Sequence, residues 1–159
     1  MVLFAIAVGF VPFVLLEAGL RLFDVGAEEA DLHAGFGETS ALFQIDPQED
    51  VYRTSLAKLQ FFVTQQFPVA PAKEEFRIFV LGGSTVQGRP FGPPTSFAKW
   101  LELHLQADDP SCKYRAINCG GISYASYRLQ PVLQEVLNYQ PDLIVLATGH
   151  NEFLEDRTY

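Results

Sequence analysis

Three kinds of hydrophobic patterning follow one another along the chain. Residues 1–16, MVLFAIAVGFVPFVLL, carry no charge, and the apolar character resumes after Glu17 as far as Phe23. A helix over this run is apolar on every side rather than along one stripe. Residues 24–75 sustain neither the helical nor the strand period. DVGAEEADLHAGFGE is acidic and glycine-bearing, and the apolar clusters behind it are interrupted by Pro47, Pro68 and Pro71. From Phe76 the pattern becomes regular. FRIFVL predicts a strand. PPTSFAKWLELHLQ predicts a helix with Phe97, Trp100, Leu101 and Leu105 on one face and Thr95 or Ser96 as N-cap. YRAIN predicts a second strand. RLQPVLQEVLNYQ predicts a second helix, striped by Val132, Leu133, Val136 and Leu137, with Pro131 in its first turn. DLIVLAT, almost wholly apolar, predicts a third strand covered on both faces.

The order β-α-β-α-β implies right-handed crossovers and a parallel sheet with helices on both faces, a flavodoxin-like α/β three-layer sandwich. The chain thus divides into residues 1–23, a juxtamembrane linker and extended lead-in over 24–75, and a domain over 76–159. A membrane span needs about 20 apolar residues and a signal-peptide core only about 7 to 15. The first run has no basic residue ahead of it and no small-x-small cleavage pattern close behind. It is therefore expected to be a single-pass transmembrane anchor, with Glu17 and Arg21 paired near the interface. A buried core helix is the alternative. The acidic stretch that follows sets the expectation that the remainder lies outside the cytoplasm.

Composition narrows the function classes. Net charge is −8, from 19 acidic and 11 basic residues, and no Lys/Arg cluster appears, which argues against a nucleic-acid partner. Cys112 and Cys119 lie on either side of the second predicted strand, about 23 Å apart. A disulfide needs Cα atoms within about 7 Å, so no bridge between them is expected. Nor do they have metal-knuckle spacing.

Candidate chemistry sits where the strands end. Ligands of open parallel sheets bind outside the carboxyl ends of the strands. The three strands here run into GGST, NCGGISYAS and GHNEF, three loops of small and polar residues at one edge. A glycine-rich turn between strand and helix also suits phosphate. GGSTVQG, however, has neither Gly-x-Gly-x-x-Gly nor Gly-Lys-Ser/Thr, and no acidic residue closes the second strand.

VLGGSTVQG, INCGGISYASYR and TGHNEF, in that order and spacing over residues 76–153, resemble the blocks of the SGNH/GDSL hydrolases. The resemblance implies that Ser84 is a nucleophile. It implies a backbone N–H from Ser123, or from Gly121, and the Asn151 side-chain amide as oxyanion donors. The first block has Ser-Thr where the family's name-giving pattern has Asp-Ser-Leu. In the second, Ser123 stands where glycine is expected. The family's Asp-x-x-His block, which carries the base, comes near the end of its domain, and Tyr159 precedes it. The chain is accordingly expected to be the N-terminal part of such a domain, inactive alone.

These residue types suit ester chemistry. A serine hydroxyl is a poor nucleophile until a base takes its proton. The oxyanion formed on attack is stabilised by pre-aimed donors, each worth about 3 to 4 kcal/mol in one measured enzyme. No cofactor or metal is expected, and the substrate would be a small-molecule or carbohydrate ester. An acyltransferase using the same serine and an inactive, membrane-attached binding protein are the alternatives. Of the histidines, His33 falls in the linker, His104 is expected to pack half-buried on the first helix of the domain, and His150 is a candidate surrogate base. Consecutive residues of an extended loop face opposite ways, so His150 and Asn151 are not both expected to face Ser84.

Overall fold

The computed structural model describes residues 2–23 and 41–153, with the backbone alone for residues 2–8. The chain forms two compact units, residues 1–31 and 32–159. His33 and the whole acidic stretch of residues 24–38 lie outside the described residues.

In the first unit, helix α1 (Val2–Leu22) exposes Phe10, Phe13, Val14, Leu15 and Leu16. The expected pair is present, with Arg21 Nε donating to Glu17 Oε1 at 2.7 Å. Among the described residues, no helix is long and apolar enough to cross a membrane. The side chains of residues 1–8, on which half of the uncharged run depends, lie outside the described residues.

The second unit contains two sheets. Strands β1 (Phe43–Asp46), β2 (Val51–Thr54) and β3 (Gln66–Pro68) form an antiparallel meander. The region expected as extended lead-in therefore carries a sheet, and it delivers Leu42, Phe43, Phe62 and Phe67 to the main core. Glu135 ties this meander to the rest, accepting hydrogen bonds from the backbone N–H groups of Leu42 (2.6 Å) and Phe43 (2.8 Å) and from the Tyr139 hydroxyl (2.6 Å). Burial, then the bond to Glu135, pushes the Tyr139 phenol well above its ordinary pKa and keeps it a neutral donor.

The second sheet is parallel. Strands β4 (Glu75–Gly82), β5 (Lys113–Gly120) and β6 (Leu143–Ala147) lie in the order β5-β4-β6. Side chains alternate along β4. Phe79 and Leu81 join Ile117 and Cys119 beneath helix α4 (Ser126–Val136), while Ile78 and Val80 pack with Ala98 of helix α3 (Phe97–Asp108) on the other face. Helices cover both faces, as the element order implies. Cys112 and Cys119 are free thiols, and burial pushes Cys119 well above the usual thiol pKa.

Three local expectations are corrected. Helix α3 begins at its expected cap, Ser96, which accepts from Lys99 N at 3.2 Å, but its buried face is Ala98 with Leu101 and Leu105 beside it. Phe97 and Trp100 are 44% and 52% exposed, and His104 is exposed beside the Trp100 ring rather than half-buried. Helix α4 starts at Ser126, so Pro131 lies in its interior and cannot donate to the Tyr127 carbonyl. Its buried stripe is Leu129, Val132 and Val136, and Leu137 is exposed. The third difference concerns β6, an edge strand among the described residues, where Leu143 and Leu146 are exposed rather than covered.

Candidate active site

The strand order puts the reversal of winding between β4 and β6, since β5 lies to one side of β4 and β6 to the other. At such a point the loops above adjacent strands diverge and leave a crevice. A cavity of about 180 Å³ lies there, lined by Gly83, Ser84, Thr85, Tyr124 and residues 147–151.

Ser84 opens a one-turn helix, α2 (Ser84–Gln87), directly after β4. Among the described residues, the Ser84 hydroxyl makes no hydrogen bond, and neither Ser84 N–H nor Thr85 N–H has an acceptor. These are the free donors every helix start presents, and here they border the cavity. A Cβ at Gly83 would stand 2.5 Å from Asn151 Nδ2, so any larger residue there would displace that amide.

Asn151 arrives from the loop after β6, in a single 3-10 turn (Asn151–Phe153). It is 6% exposed, and its Nδ2 donates to the Tyr124 carbonyl at 2.8 Å. An amide nitrogen carries two hydrogens, so one remains for the cavity. Ser84 and Asn151, from separate strands, therefore share one site.

The second-block candidates are arranged differently. The Gly121 N–H is committed to the Gly82 carbonyl at 2.9 Å, which removes it as an oxyanion donor. Ser123 is exposed, at φ +59°, a conformation glycine adopts at little cost, and its N–H has no acceptor among the described residues. It does not line the cavity, where the second loop is represented by Tyr124 instead. His150 does line it and is exposed, in contrast to the buried Asn151 beside it. Among the described residues no three His, Cys, Asp or Glu side chains gather as a metal would require.

Several residues that shape the site were not singled out from the sequence. Asn118, near the end of β5, is buried. Its Nδ2 donates to the Val86 carbonyl at 2.9 Å, and its Oδ1 accepts from Gly120 N at 3.0 Å, so it holds α2 against the second loop. Gln87, also buried, donates to the Phe61 carbonyl at 2.8 Å and secures α2 from the other side. Glu152 accepts from Ser126 and Thr148. Burial raises its carboxyl pKa, but the hydrogen bonds, led by that from Ser126 N–H, outweigh burial and hold it below the usual carboxylate value. The signal for Asn118 was a polar side chain near the end of an otherwise apolar strand. For Glu152 it was an acidic residue directly following Asn151.

No family model matches the chain, and no curated protein matches it significantly.

Proposed function

We propose that the chain carries the nucleophile and oxyanion donors of an SGNH-type serine hydrolase acting on ester bonds. The observation that carries this reading is the shared cavity. A serine whose hydroxyl has no bond among the described residues stands there beside a free backbone N–H and a buried, anchored asparagine amide. A base takes the Ser84 proton, and Oγ attacks the ester carbonyl carbon. The carbonyl oxygen, now negative, is held by Ser84 N–H and the second hydrogen of Asn151 Nδ2. Collapse expels the alcohol, which receives the proton, and water then releases the acid from Ser84. Ser123 N–H would have to swing inward to become a third donor. The base that this reading calls for is the histidine of an Asp-x-x-His segment, as in the family the blocks resemble. The exposed apolar surface of α1 attaches the protein to a membrane, with the second unit on the extracytoplasmic side.

The test compares the 159-residue chain with one extended through that segment, using a fluorophosphonate probe and p-nitrophenyl acetate, each with Ser84→Ala. The expected result is rapid labelling at Ser84 in the long chain and slow labelling in the short one. Equal rates would make His150 the base. A folded long chain that carries the histidine and is never labelled would overturn the hydrolase reading.

A further inference from the structure

We infer that Glu152 is a positioning residue that fixes the Asn151 amide by clamping the third loop to the second; the catalytic meaning of that amide rests on the reading above. Residues 151 and 152 grip neighbouring parts of one segment. Asn151 Nδ2 donates to the Tyr124 carbonyl at 2.8 Å. One residue on, the Glu152 carboxylate accepts from Ser126 N–H at 2.6 Å and from the Ser126 hydroxyl at 3.1 Å. It also accepts from the Thr148 hydroxyl at 2.9 Å, which closes its own loop on itself.

The clamp answers a deficiency in α4. The residue before that helix, Ala125, has no side-chain oxygen and makes no cap bond. Its first N–H would otherwise lack an acceptor. A carboxylate from another loop takes the cap's place, and a negative charge is favoured at the positive end of the helix. Hydrogen bonds to an ionised acceptor are roughly twice as strong as neutral ones. The two loops therefore separate only by breaking three bonds between them, one of which aims Asn151. Donor placement within about 0.5 Å is what oxyanion stabilisation demands, and a lone Asn151–Tyr124 bond leaves the amide free to pivot.

The experiment follows the Asn151 side-chain amide by NMR in the 159-residue chain, comparing Glu152→Ala and Glu152→Gln, with labelling of Ser84 measured in parallel in the extended chain. In Glu152→Ala the Asn151 side-chain hydrogens are expected to exchange about tenfold faster, the effect of losing roughly one hydrogen bond. Glu152→Gln keeps an acceptor oxygen and is expected to restore most of the protection. A second variant approaches the clamp from the other side. Ser126→Pro deletes both donors at a helix position where proline is tolerated, after a residue that is already extended (Ala125 φ −86°, ψ 174°). It is expected to reproduce the faster exchange, and the Glu152→Ala/Ser126→Pro double variant to add nothing further. Unchanged exchange at Asn151 in both single variants, or full additivity in the double, would overturn the inference. If the exchange responds as expected but no variant of the extended chain is labelled at Ser84, the clamp stands and the hydrolase reading fails.

Discussion

The two ends of the parallel sheet are built from opposite materials. At the amino end of β4, Arg77 is fully buried and nearly saturated. Its Nε and Nη2 donate to Glu75 Oε1 at 3.2 and 3.0 Å, Nη1 to the Tyr139 carbonyl at 2.9 Å and Nη2 to the Pro68 carbonyl at 3.0 Å. Its backbone N–H donates to Asp142 Oδ2 at 2.7 Å, which pins the start of β6. Arg115 Nε also stands 3.1 Å from Glu75 Oε1, near enough for attraction between charges but misaligned for a hydrogen bond. At the carboxyl end no buried ion pair of this kind stands among the described residues. Glycines allow close approach, and the Ser84 hydroxyl and the N–H groups of Ser84 and Thr85 are unbonded among the described residues. One end fixes the strands and leaves few groups available. The other end leaves donors unbonded beside a cavity.

If this division is correct, the largest stability loss comes from the end farthest from the chemistry. Arg77→Ala leaves Glu75 buried with only the misaligned Arg115, and removing one partner of a buried pair costs about 3 to 5 kcal/mol. Urea denaturation at neutral pH measures this. A loss below about 1 kcal/mol would mean that water reaches the cluster, and the contrast between the ends would weaken.

The next effect lies between the two ends. A Cβ on Gly120 would stand 2.3 Å from the backbone nitrogen of Gln87. Gly120→Ala must push α2 away from β5, at a cost of about 1 to 3 kcal/mol for overpacking. Since α2 carries Ser84, the same variant is expected to slow labelling of the extended chain. Lost stability with unchanged labelling would show that the serine tolerates displacement of its helix.

What the sequence made legible follows the same division. Strands β4 and β5 and the apolar β6 were readable because alternation or continuous apolarity over several residues is a local signal. The placement of Ser84 and Asn151 at one sheet edge was readable because both stand where strands end in small polar residues. Several features were not local. Helix α4 has no N-cap of its own; a carboxylate 26 residues away in the chain supplies it, so the sequence suggests too late a start. On α3 an equally good 3.6-residue face, Phe97 and Trp100, competed with the face that is buried, and only the position of the sheet decides between them. The meander was missed because β1, β2 and β3 are three or four residues each, too short for a period to show. Ser123 lies outside the cavity because backbone direction, not residue order, decides which member of the second loop enters it.

The lateral edges of the sheet extend the comparison. Outward N–H groups of β5 are met by side chains, Tyr114 N by Gln106 (3.2 Å), Ala116 N by Glu102 (2.9 Å) and Asn118 N by Gln65 (3.1 Å). Along β6 no such acceptors stand among the described residues, and Leu146 is 53% exposed. Open apolar edges promote strand-to-strand association. Leu146→Lys is expected to lower the concentration-dependent association of the chain in sedimentation experiments, by an amount too small to alter its unfolding midpoint noticeably. Equal association in both proteins would move the sticky surface elsewhere, α1 being the obvious place.

The smallest expected stability effect belongs to Ser84. Its hydroxyl has no hydrogen-bond partner among the described residues, so its removal strands no buried donor or acceptor. It opens α2, where alanine is acceptable to the backbone, and its neighbour Gly83 already provides the close contact with Asn151. Ser84→Ala is therefore expected to leave unfolding free energy within about 0.5 kcal/mol of the parent, as for substitutions that disturb no packed or bonded feature. The same change should abolish fluorophosphonate labelling of the extended chain altogether. The pairing of these two results is what matters. A turn serving only to end a strand would show some stability cost and no reactivity to lose. A reactive serine held by its surroundings would lose only its reactivity. A destabilisation of more than about 1 kcal/mol would put the hydroxyl to structural use. The carboxyl end of the sheet would then resemble the amino end, and the distinction between them would collapse.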